Sequence, residues 1–420
     1  MKIVLFANTE WYLYNFRRSL AVALRDAGHE VILLSPAGAY GEKLQELGFR
    51  WTAAPMSRRS LNPLRETALV WWLYGLFRRE QPDVIHAFTI KCAVYGAFAA
   101  RLAKVPARVS AVAGMGYVFT NEDAQARALR PVVRSLLRVT LGGRGARLIL
   151  QNPDDVAFFR RERLVDPATI RLIPGSGVDC TRFSPPAGRS SNGHSMEAGS
   201  QVEGDKTARD SQKGVSPRPA TFRVLLAARL LWDKGVAEYV GAARMLLADG
   251  RRVCFLLAGA PDPGNPAAVA VSTLQEWEKE GLVTWLGHVD DIPALFETVD
   301  MVALPSYREG LPKGLIEAGA FGLPLITTDV PGCREVVTHE VDGLLVPVRD
   351  AAALAAAIAR LQDDPLLRAR LGQAARAKVL AEFDERIVIE RTFAVYRELL
   401  PEFGFRTHTE VARDPSGIDY

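Results

Sequence analysis

Apolar runs of five to seven residues alternate with longer stretches of helical spacing along most of the chain. The first series begins with KIVLFA and ends with TIRLIP. Strands that alternate with helices imply a parallel sheet covered on both faces. This series predicts strands at 2–7, 30–35, 83–88, 107–112, 146–151 and 169–174, with helices at 16–27, 41–47, 64–80, 93–103 and 124–141.

A second series with the same alternation begins at FRVLLAA. It predicts strands at 222–228, 253–259, 283–287, 301–306, 324–329 and 343–348, a turn at 331–336, and helices at 236–248, 266–280, 291–298, 312–321, 350–362, 364–382 and 384–400. Two such series predict two doubly wound domains, whose ligands bind at the carboxyl ends of the strands.

The alternation stops between the two series. Residues 187–220 contain few large apolar side chains and many Ser, Gly and charged residues, so we interpret them as a flexible linker or insertion. The expected fold is α/β, with two Rossmann-like doubly wound domains, 1–186 and 221–383, facing each other across a cleft. The helix at 384–400 is long enough to pack back on the first domain, and 404–420 is expected to be disordered.

Charge is distributed unevenly along the chain. Residues 1–186 carry 26 Lys and Arg against 15 Asp and Glu, whereas the remaining residues carry 26 against 33. A basic half suggests an anionic partner, but no recognition motif for nucleic acid accompanies it. The four cysteines have no metal-binding spacing, and no apolar stretch is long enough to span a bilayer. We therefore expect a cytoplasmic protein with reduced thiols and no zinc site, whose contact with any membrane is peripheral.

The stretch PSYREGLPKGLIEAGAFGLPLITTD, residues 305–329, carries two glutamates about a strand-to-helix junction. Glu309 precedes the predicted helix start, and Glu317 follows it by about a turn and a half. Amide groups at a helix start favour an anion, and carboxylates accept hydrogen bonds from sugar hydroxyls. The alternative is that both are solvated surface acids.

Two cations occupy another predicted strand-to-helix turn, AARLLWDKGVAEYV. Arg229 and Lys234 suit a diphosphate, the first by bidentate contact and the second as a point charge. A third strand ends at Gly287, where the backbone at His288 and Val289 could contact a nucleotide base; this signal is weak by itself.

Together these segments resemble the retaining GT-B glycosyltransferases of family four, over residues 1–186 and 221–400. The family's signature of two glutamates separated by seven residues is matched by Glu309 and Glu317, and GSGVDCTRFSP matches the segment that ends the family's first domain. RLLWDKGVAEY, YREGLP and MSRRSLNP look especially similar to bacterial members that transfer an N-acetylhexosamine or hexose to an undecaprenyl-diphosphate sugar.

The resemblance implies a donor site in the second domain for a nucleoside-diphosphate sugar, most simply UDP-linked. Glu317 would bind the ribose and Glu309 the transferred sugar. The diphosphate would be bound by two cations and a helix start: Arg229, Lys234, Gly310, Leu311, Pro312 and Lys313. No metal would be required, because these groups neutralise the leaving diphosphate. Retention is ascribed in this family to attack on the same face as the leaving group.

The first domain would then hold the acceptor. His86 ends a predicted strand where the family often has a functional histidine, although a packed structural histidine is the alternative. The family's glycine-rich loop after the first strand is replaced here by NTEWYLYNFRRSL, which puts that phosphate contact in doubt and suggests contact with an acceptor or lipid headgroup. The acceptor or membrane candidates are Asn15, Arg17, Lys91 and Tyr117.

Aromatic residues mixed with arginines in the first half could also place this domain on an anionic leaflet. The arginines are at 58, 59, 78, 79, 134 and 138, and Trp71 and Trp72 could instead be core residues of their helix. The leading hypothesis is a peripheral enzyme on the inner face of the cytoplasmic membrane. The alternatives are an epimerase or starch-synthase-like polymerase on the same fold, and a non-catalytic nucleotide-sugar-binding subunit.

Overall fold

A computed structural model describes residues 1–57, 60, 62–112, 124–186, 221–262 and 264–404. The chain divides into two compact units: unit 1 is Met1–Gly177 with Phe383–Tyr420, and unit 2 is Val178–Glu382. The predicted linker at 187–220 and residues 405–420 of the predicted tail lie outside the described residues. Each unit is an α/β domain with a parallel sheet, as the alternating pattern predicts.

Seven parallel strands form the sheet of unit 1: β1 Lys2–Phe6, β2 Glu30–Ser35, β3 Arg50–Ala53, β4 Val84–Phe88, β5 Ala107–Val112, β6 Ala146–Leu150 and β7 Ile170–Leu172. Their order is β3-β2-β1-β4-β5-β6-β7, so the progression reverses between β1 and β4. Helices cover the sheet: α1 Glu10–Tyr12, α2 Arg18–Asp26, α3 Tyr40–Glu46, α4 Pro63–Glu80, α5 Ile90–Leu102, α6 Ala124–Leu141 and α7 Pro153–Arg161. Covered strands are buried on both faces, which explains their nearly continuous apolar runs.

The first helical region differs from the helix predicted at 16–27. Helix α1 begins at Glu10, where the side chain of Thr9 accepts a hydrogen bond from the backbone N–H of Tyr12 (3.1 Å). A π-helical turn, Leu13–Arg17, then connects α1 to α2. The rings of Tyr12 and Phe16 stack within this region, with centroids 5.0 Å apart. Helix α2 confirms the predicted helix, but the helical turns before it were not predicted, because the aromatic run there has no clear helical period.

Two elements of unit 1 have no counterpart in the predicted pattern. Strand β3 is an edge strand of four residues whose side chains are all at least partly exposed, so it lacks an apolar run. Helix α7 has only nine residues, and its start is fixed by Asn152, whose side chain accepts from the N–H of Asp155 at 2.8 Å. Short, polar elements leave little periodic signal.

Six parallel strands form the sheet of unit 2: β8 Phe222–Ala227, β9 Val253–Ala258, β10 Thr284–Gly287, β11 Met301–Leu304, β12 Leu325–Thr328 and β13 Leu344–Val346. Their order is β10-β9-β8-β11-β12-β13, which reverses between β8 and β11. The helices are α8 Val236–Ala248, α9 Val271–Lys279, α10 Ile292–Glu297, α11 Lys313–Ala320, α12 Cys333–Val336, α13 Ala351–Asp363 and α14 Pro365–Glu382. Pro312 is the N-cap of α11 and not its first residue.

The last helix, α15 Glu385–Leu399, belongs to unit 1. Its Phe393 and Tyr396 are buried in the same apolar cluster as Ile3 and Leu5 of β1. At its first turn, Ser19 of α2 donates to the carboxylate of Glu385 at 2.5 Å. Helix α15 therefore completes the core of unit 1.

Gly235, just before α8, provides a test of the loop packing in unit 2. Its φ is +72°, and a Cβ atom there would overlap the carbonyl oxygen of Pro305. Gly250 has nearly the same φ, +73°, but open space around it. We expect Gly250→Ala to cost about 1 kcal/mol of unfolding free energy, from backbone strain alone. Gly235→Ala should cost roughly 1–3 kcal/mol more, because the loop that carries Gly235 and the loop that carries Pro305 must separate. Urea unfolding followed by circular dichroism measures both, and equal costs would contradict the close approach.

Candidate active site

Two loops of unit 2 leave the sheet side by side where the strand order reverses. The β8 loop (228–235) follows β8 and the β11 loop (305–312) follows β11. These strands pair in parallel, with Val224 opposite Met301 and Leu225 opposite Val302. The carboxyl ends of parallel strands lie at one edge of a sheet, and the point of reversal is where doubly wound domains bind ligands.

A lysine from one loop meets a glutamate from the other. The ammonium Nζ of Lys234 lies 2.5 Å from Oε1 of Glu309, and both side chains are largely buried. The hydroxyl of Ser306 donates to the same oxygen at 2.7 Å. Within the described residues Oε2 of Glu309 has no hydrogen-bond partner, so this oxygen is available to a ligand hydroxyl.

The backbone fixes the position of Glu309. Its N–H donates to the carbonyl of Pro331 at 3.1 Å, and a Cβ at Gly332 would overlap the carbonyl of Glu309. The hydroxyl of Thr328, at the end of β12, donates to the carbonyl of Ser306. The β11 loop is thus held from its neighbouring strand, and the carboxylate is positioned before any ligand binds.

The second predicted carboxylate, Glu317, has a lysine of its own on α11. Nζ of Lys313 is 3.5 Å from Oε1 of Glu317, four residues further along the helix. Burial raises the pKa of Glu317 above its ordinary value, against the opposing effects of Lys313 and Arg182. One carboxylate–lysine pair therefore precedes the start of α11, and a second lies on its first two turns.

The start of α11 lies against the end of β8. A Cβ at Gly314 would be 3.1 Å from the carbonyl oxygen of Ala227. The N–H groups of Leu315 and Ile316 both donate to the carbonyl of Pro312, at 3.1 and 3.3 Å. The predicted diphosphate donors Gly310, Leu311, Pro312 and Lys313 thus lie in the segment between the two glutamates, although Pro312 has no N–H to contribute.

The two predicted diphosphate cations both have internal acid partners. Arg229 is half exposed, and its NH1 nitrogen lies 3.0 Å from Oδ2 of Asp262, after β9. Lys234 is paired with Glu309 as described. They are therefore not the two unpartnered surface cations that a sequence pattern alone would allow, and an incoming phosphate would share each cation with its carboxylate.

His288 and Val289 follow β10, at the far side of β9 from β8. His288 is exposed, and its Nε2 is 3.3 Å from a carboxylate oxygen of Asp290. The carbonyl of Gly287 accepts from the N–H of Gly259 at 2.6 Å. This bond links the end of β10 to the segment after β9. The segment after β9 also carries Asp262, which pairs with Arg229.

Sequence reasoning missed two residues that contact the predicted site. Ser306 bonds Glu309, and Asp262 pairs with Arg229. Both follow a strand at its carboxyl end, Ser306 two residues after β11 and Asp262 four residues after β9. A polar residue at that position in a parallel sheet is the signal that could have identified them.

In unit 1, His86 lies on β4 and is buried, with 1% of its surface exposed. Its Nδ1 is 2.7 Å from the hydroxyl of Tyr396, on α15. Burial lowers the pKa of His86 well below its ordinary value, and the nearby charge of Arg17 lowers it further. The imidazole is therefore neutral at pH 7.

Arg17, the last residue of the π-helical turn, lies in the same corner of unit 1 and is 5% exposed. Its guanidinium carbon is 4.3 Å from the centre of the Phe88 ring, and NH2 donates to the hydroxyl of Tyr12 at 3.0 Å. Burying an unpaired cation costs several kcal/mol, whereas a desolvated cation–π contact returns about 2 kcal/mol. The ring contacts do not offset the burial.

The other acceptor candidates have different surroundings. The side-chain amide of Asn15 donates to the carbonyl of Trp11 at 3.0 Å, one helical turn earlier. The ammonium of Lys91 is within 2.7–2.9 Å of three oxygens, the carbonyls of Ser57 and Ser60 and the carboxylate of Glu66, so its three protons all have internal acceptors. Tyr117 and the arginines at 58 and 59 lie outside the described residues.

The described residues contain neither a cluster of metal ligands nor a helix suited to cross a membrane. No group of three or more His, Cys, Asp or Glu side chains there is arranged to hold a metal ion. None of the described helices combines the length and the hydropathy that a membrane crossing requires.

Two family models match the chain. Residues 15–175 match the model described as "Glycosyl transferase 4-like domain", and residues 209–378 match "Glycosyl transferases group 1". The first falls in unit 1, and the second covers the β8 loop, the β11 loop and both carboxylate–lysine pairs.

Similar proteins carry related names. The chain is 29% identical to the N,N'-diacetylbacillosaminyl-diphospho-undecaprenol alpha-1,3-N-acetylgalactosaminyltransferase of Campylobacter jejuni, over 95% of this chain and 99% of the relative. It is 27% identical to the UDP-Gal:alpha-D-GlcNAc-diphosphoundecaprenol alpha-1,3-galactosyltransferase of Escherichia coli, over 74% and 75%. The crystal structure of Anabaena HepE in complex with UDP matches with a TM-score of 0.72 at 20% identity, over 95% of this chain and 100% of HepE. This structural likeness confirms the GT-B fold.

The raised pKa of Glu317 predicts a stability gain on neutralising it. A carboxyl with a raised folded-state pKa destabilises the folded protein wherever it is ionised, so Glu317→Gln should raise the unfolding free energy at pH 7, on the order of 1 kcal/mol. The gain should disappear as the pH falls below the ordinary carboxyl value of 4.5. Urea titrations at several pH values measure this. Glu297→Gln, an exposed acid on α10, is the control and should change little; a loss of stability at pH 7 in Glu317→Gln would contradict the burial effect.

Proposed function

The chain belongs to the GT-B glycosyltransferases of family four, and we propose that it transfers a sugar from a UDP-sugar to an undecaprenyl-diphosphate-linked glycan, with retention of configuration. The observation that carries the proposal is the pair of carboxylate–lysine contacts about the start of α11. It supports one elongated ligand that is anionic in the middle and carries hydroxyls at both ends. The names of the Campylobacter and Escherichia relatives support the acceptor class.

The donor is bound by unit 2. Glu309 accepts hydrogen bonds from hydroxyls of the transferred sugar through Oε2, while Ser306 and Lys234 hold Oε1. Glu317 accepts from the ribose hydroxyls, and the backbone at His288 and Val289 contacts the base. The diphosphate lies between them, against Arg229, Lys234 and the segment 310–313.

Transfer needs stabilisation of the negative charge that develops on the leaving diphosphate. Lys234 and Arg229 supply fixed positive charge, and the amide groups at the start of α11 add the positive end of the helix dipole. These groups make a metal unnecessary. The acceptor hydroxyl attacks on the face of the leaving group, and the departing phosphate oxygen takes up its proton. The two glutamates bind the donor and serve neither as nucleophile nor as acid.

The acceptor is bound by unit 1, whose basic charge suits a lipid diphosphate. Asn15, Arg17, His86 and Tyr117 remain its candidate contacts, whereas the ammonium of Lys91 is already used by three internal acceptors. Lys91 acts indirectly, by fixing Ser57 and Ser60 to α4 and α5. Such an acceptor places the reaction in the assembly of a cell-surface polysaccharide or glycan.

Helix α4 provides a surface for peripheral contact with the inner face of the cytoplasmic membrane. Leu64 and Trp71, 80% and 61% exposed, are seven residues apart and so share one face. Arg65, Arg78 and Arg79 are exposed on the same helix. Trp72, by contrast, packs partly against the apolar core of unit 1. Exposed apolar side chains beside arginines suit an anionic leaflet.

The donor assignment is tested with Glu309→Gln. We expect kcat to fall about 100-fold or more, because the sugar loses a positioned acceptor in the transition state. UDP release with a panel of UDP-sugars and a polyprenyl-diphosphate sugar measures turnover, and NMR of the product gives its anomeric configuration. Glu297→Gln removes an exposed acid of the same unit and is the control.

Three results would contradict separate parts of this proposal. Near-normal turnover of Glu309→Gln would contradict the assignment of the donor site. A product of inverted anomeric configuration would contradict retention, and loss of activity with EDTA would contradict metal independence.

The membrane assignment is tested with vesicles containing phosphatidylglycerol. The double variant Leu64→Ser/Trp71→Ser should bind them about 10-fold or more weakly, since it removes most of the exposed apolar area of α4. The control is Leu366→Ser, which removes a 78% exposed leucine from α14 of the acidic unit 2. Equal vesicle binding by all three proteins would contradict a contact through α4.

A further inference from the structure

The strongest unexplained feature of unit 1 is a pair of buried hydrogen-bond donors without acceptors. The Nε atom of Arg17 and the Nε2 atom of His86 are both inaccessible, and neither has a partner among the described residues. Both side chains lie against the ring of Phe88, at 4.3 Å for the guanidinium carbon and 4.2 Å between ring centres for His86. The two donors therefore share one corner, at the carboxyl end of β4.

The tautomer of His86 follows from its partner. Tyr396 is fully buried, and the only hydrogen-bond partner of its hydroxyl in the described part of the chain is Nδ1 of His86. The hydroxyl proton must be donated there, because a buried hydroxyl without an acceptor is costly. Nδ1 is then the acceptor, and the neutral ring carries its proton on Nε2. Nε2–H is therefore a donor without an acceptor among the described residues.

Arg17 lacks the carboxylate that usually accompanies a buried arginine. Its one hydrogen bond within the described residues is to the hydroxyl of Tyr12, and no acid there lies within ion-pair distance. It is positioned by the π-helical turn Leu13–Arg17, a distortion that occurs frequently at functional sites. The residue after β4, Thr89, has a φ of +72°, a second strained position at this edge.

The geometry points to a receptor for one phosphate group of the acceptor's diphosphate, in which Arg17 provides the charge and His86 a neutral donor. An arrangement of donors only, one of them permanently charged, fits an oxygen anion and no other common ligand group. Arg17 also disfavours a second proton on His86, so the ring stays a single directed donor. This inference rests on the proposed function, since it takes the diphosphate from the lipid acceptor.

The diphosphate of the sugar donor has the same chemistry and is the other ligand that could bind at this corner. Unit 2 already offers Lys234, Arg229 and the start of α11 for that group, whereas unit 1 offers no other buried cation without an acid partner at the carboxyl edge of its described sheet. We therefore assign the Arg17 corner to the acceptor, and binding measurements separate the two sources.

Calorimetry with geranyl diphosphate, inorganic pyrophosphate and UDP tests the assignment. Arg17→Gln should bind geranyl diphosphate and pyrophosphate about 30- to 100-fold more weakly, the loss expected for a buried charged contact, with UDP affinity unchanged. Arg17→Lys, which keeps the charge without the planar donors, should lose about 10-fold or less. Arg25→Gln, an exposed arginine at the end of α2, is the charge-matched control and should change no affinity.

Imidazole nitrogen NMR of the unmodified protein gives an independent readout that does not depend on a variant folding. It should show Nε2 of His86 protonated at pH 7, and pyrophosphate should shift that resonance. An unprotonated Nε2, or no shift at saturating pyrophosphate, overturns the proposal.

The binding outcomes are also decisive. If Arg17→Gln keeps its affinity for geranyl diphosphate, Arg17 only packs the core. If UDP affinity falls instead, the corner binds the donor. An enzyme that binds geranyl diphosphate through Arg17 but transfers no sugar would contradict the proposed function and leave this site standing.

Discussion

The parallel pairing of β8 with β11 is the constraint on which the geometry of the candidate donor site depends. Lys234 and Glu309 are 75 residues apart in sequence, and they meet only because both strands end at one edge with their loops in contact. Two glycines allow that approach, Gly235 against Pro305 and Gly314 against Ala227, and Gly332 allows the segment after β12 to approach Glu309. A Cβ at Gly235 or Gly332 would overlap the backbone of the facing segment, and one at Gly314 would make a tight contact of 3.1 Å.

The ion pair at the centre of this geometry is not explained by stability. Removing a lysine and a glutamate from water costs about as much as their attraction returns, and a well-packed apolar pair often serves a fold better. Glu317 also does not stabilise the fold as an ion, because burial disfavours its charged form. These groups are present at some expense to the fold, and under the proposed function the donor would supply compensating interactions at the same positions.

Much of the architecture was predictable from sequence for one physical reason. Strands buried on both faces must be apolar throughout, so runs such as KIVLFA and FRVLLAA are recognisable as strands from the sequence. The edge strand β3 is partly exposed and has no such run. Glu309 and Lys234 were also identifiable, since each lies in the loop that follows a strand, and Glu317, on α11, was identifiable from its spacing to Glu309. What they contact was not: Ser306 and Asp262 became evident only with the loops in place.

Long-range partners account for the remaining gaps. Nothing near His86 in sequence indicates Tyr396, 310 residues later, and nothing near Lys91 indicates that its ammonium is used by Ser57, Ser60 and Glu66. The π-helical turn was missed because its aromatic residues have no regular period. These features depend on how separate elements pack, which a local pattern does not record.

The cations proposed to bind phosphate in the two units differ in whether they have an acid partner. In unit 2 each of the two cations has a carboxylate, so a phosphate that binds there competes with an internal partner, and its release restores an ion pair. In unit 1 Arg17 has no such partner, so a bound phosphate satisfies a charge that nothing else in the described chain satisfies. The paired cations of unit 2 suit the nucleotide product, which must dissociate after every turnover. The unpaired Arg17 suits a lipid-linked diphosphate. Because the lipid holds that ligand at the membrane, the site must orient the diphosphate but need not bind it from dilute solution.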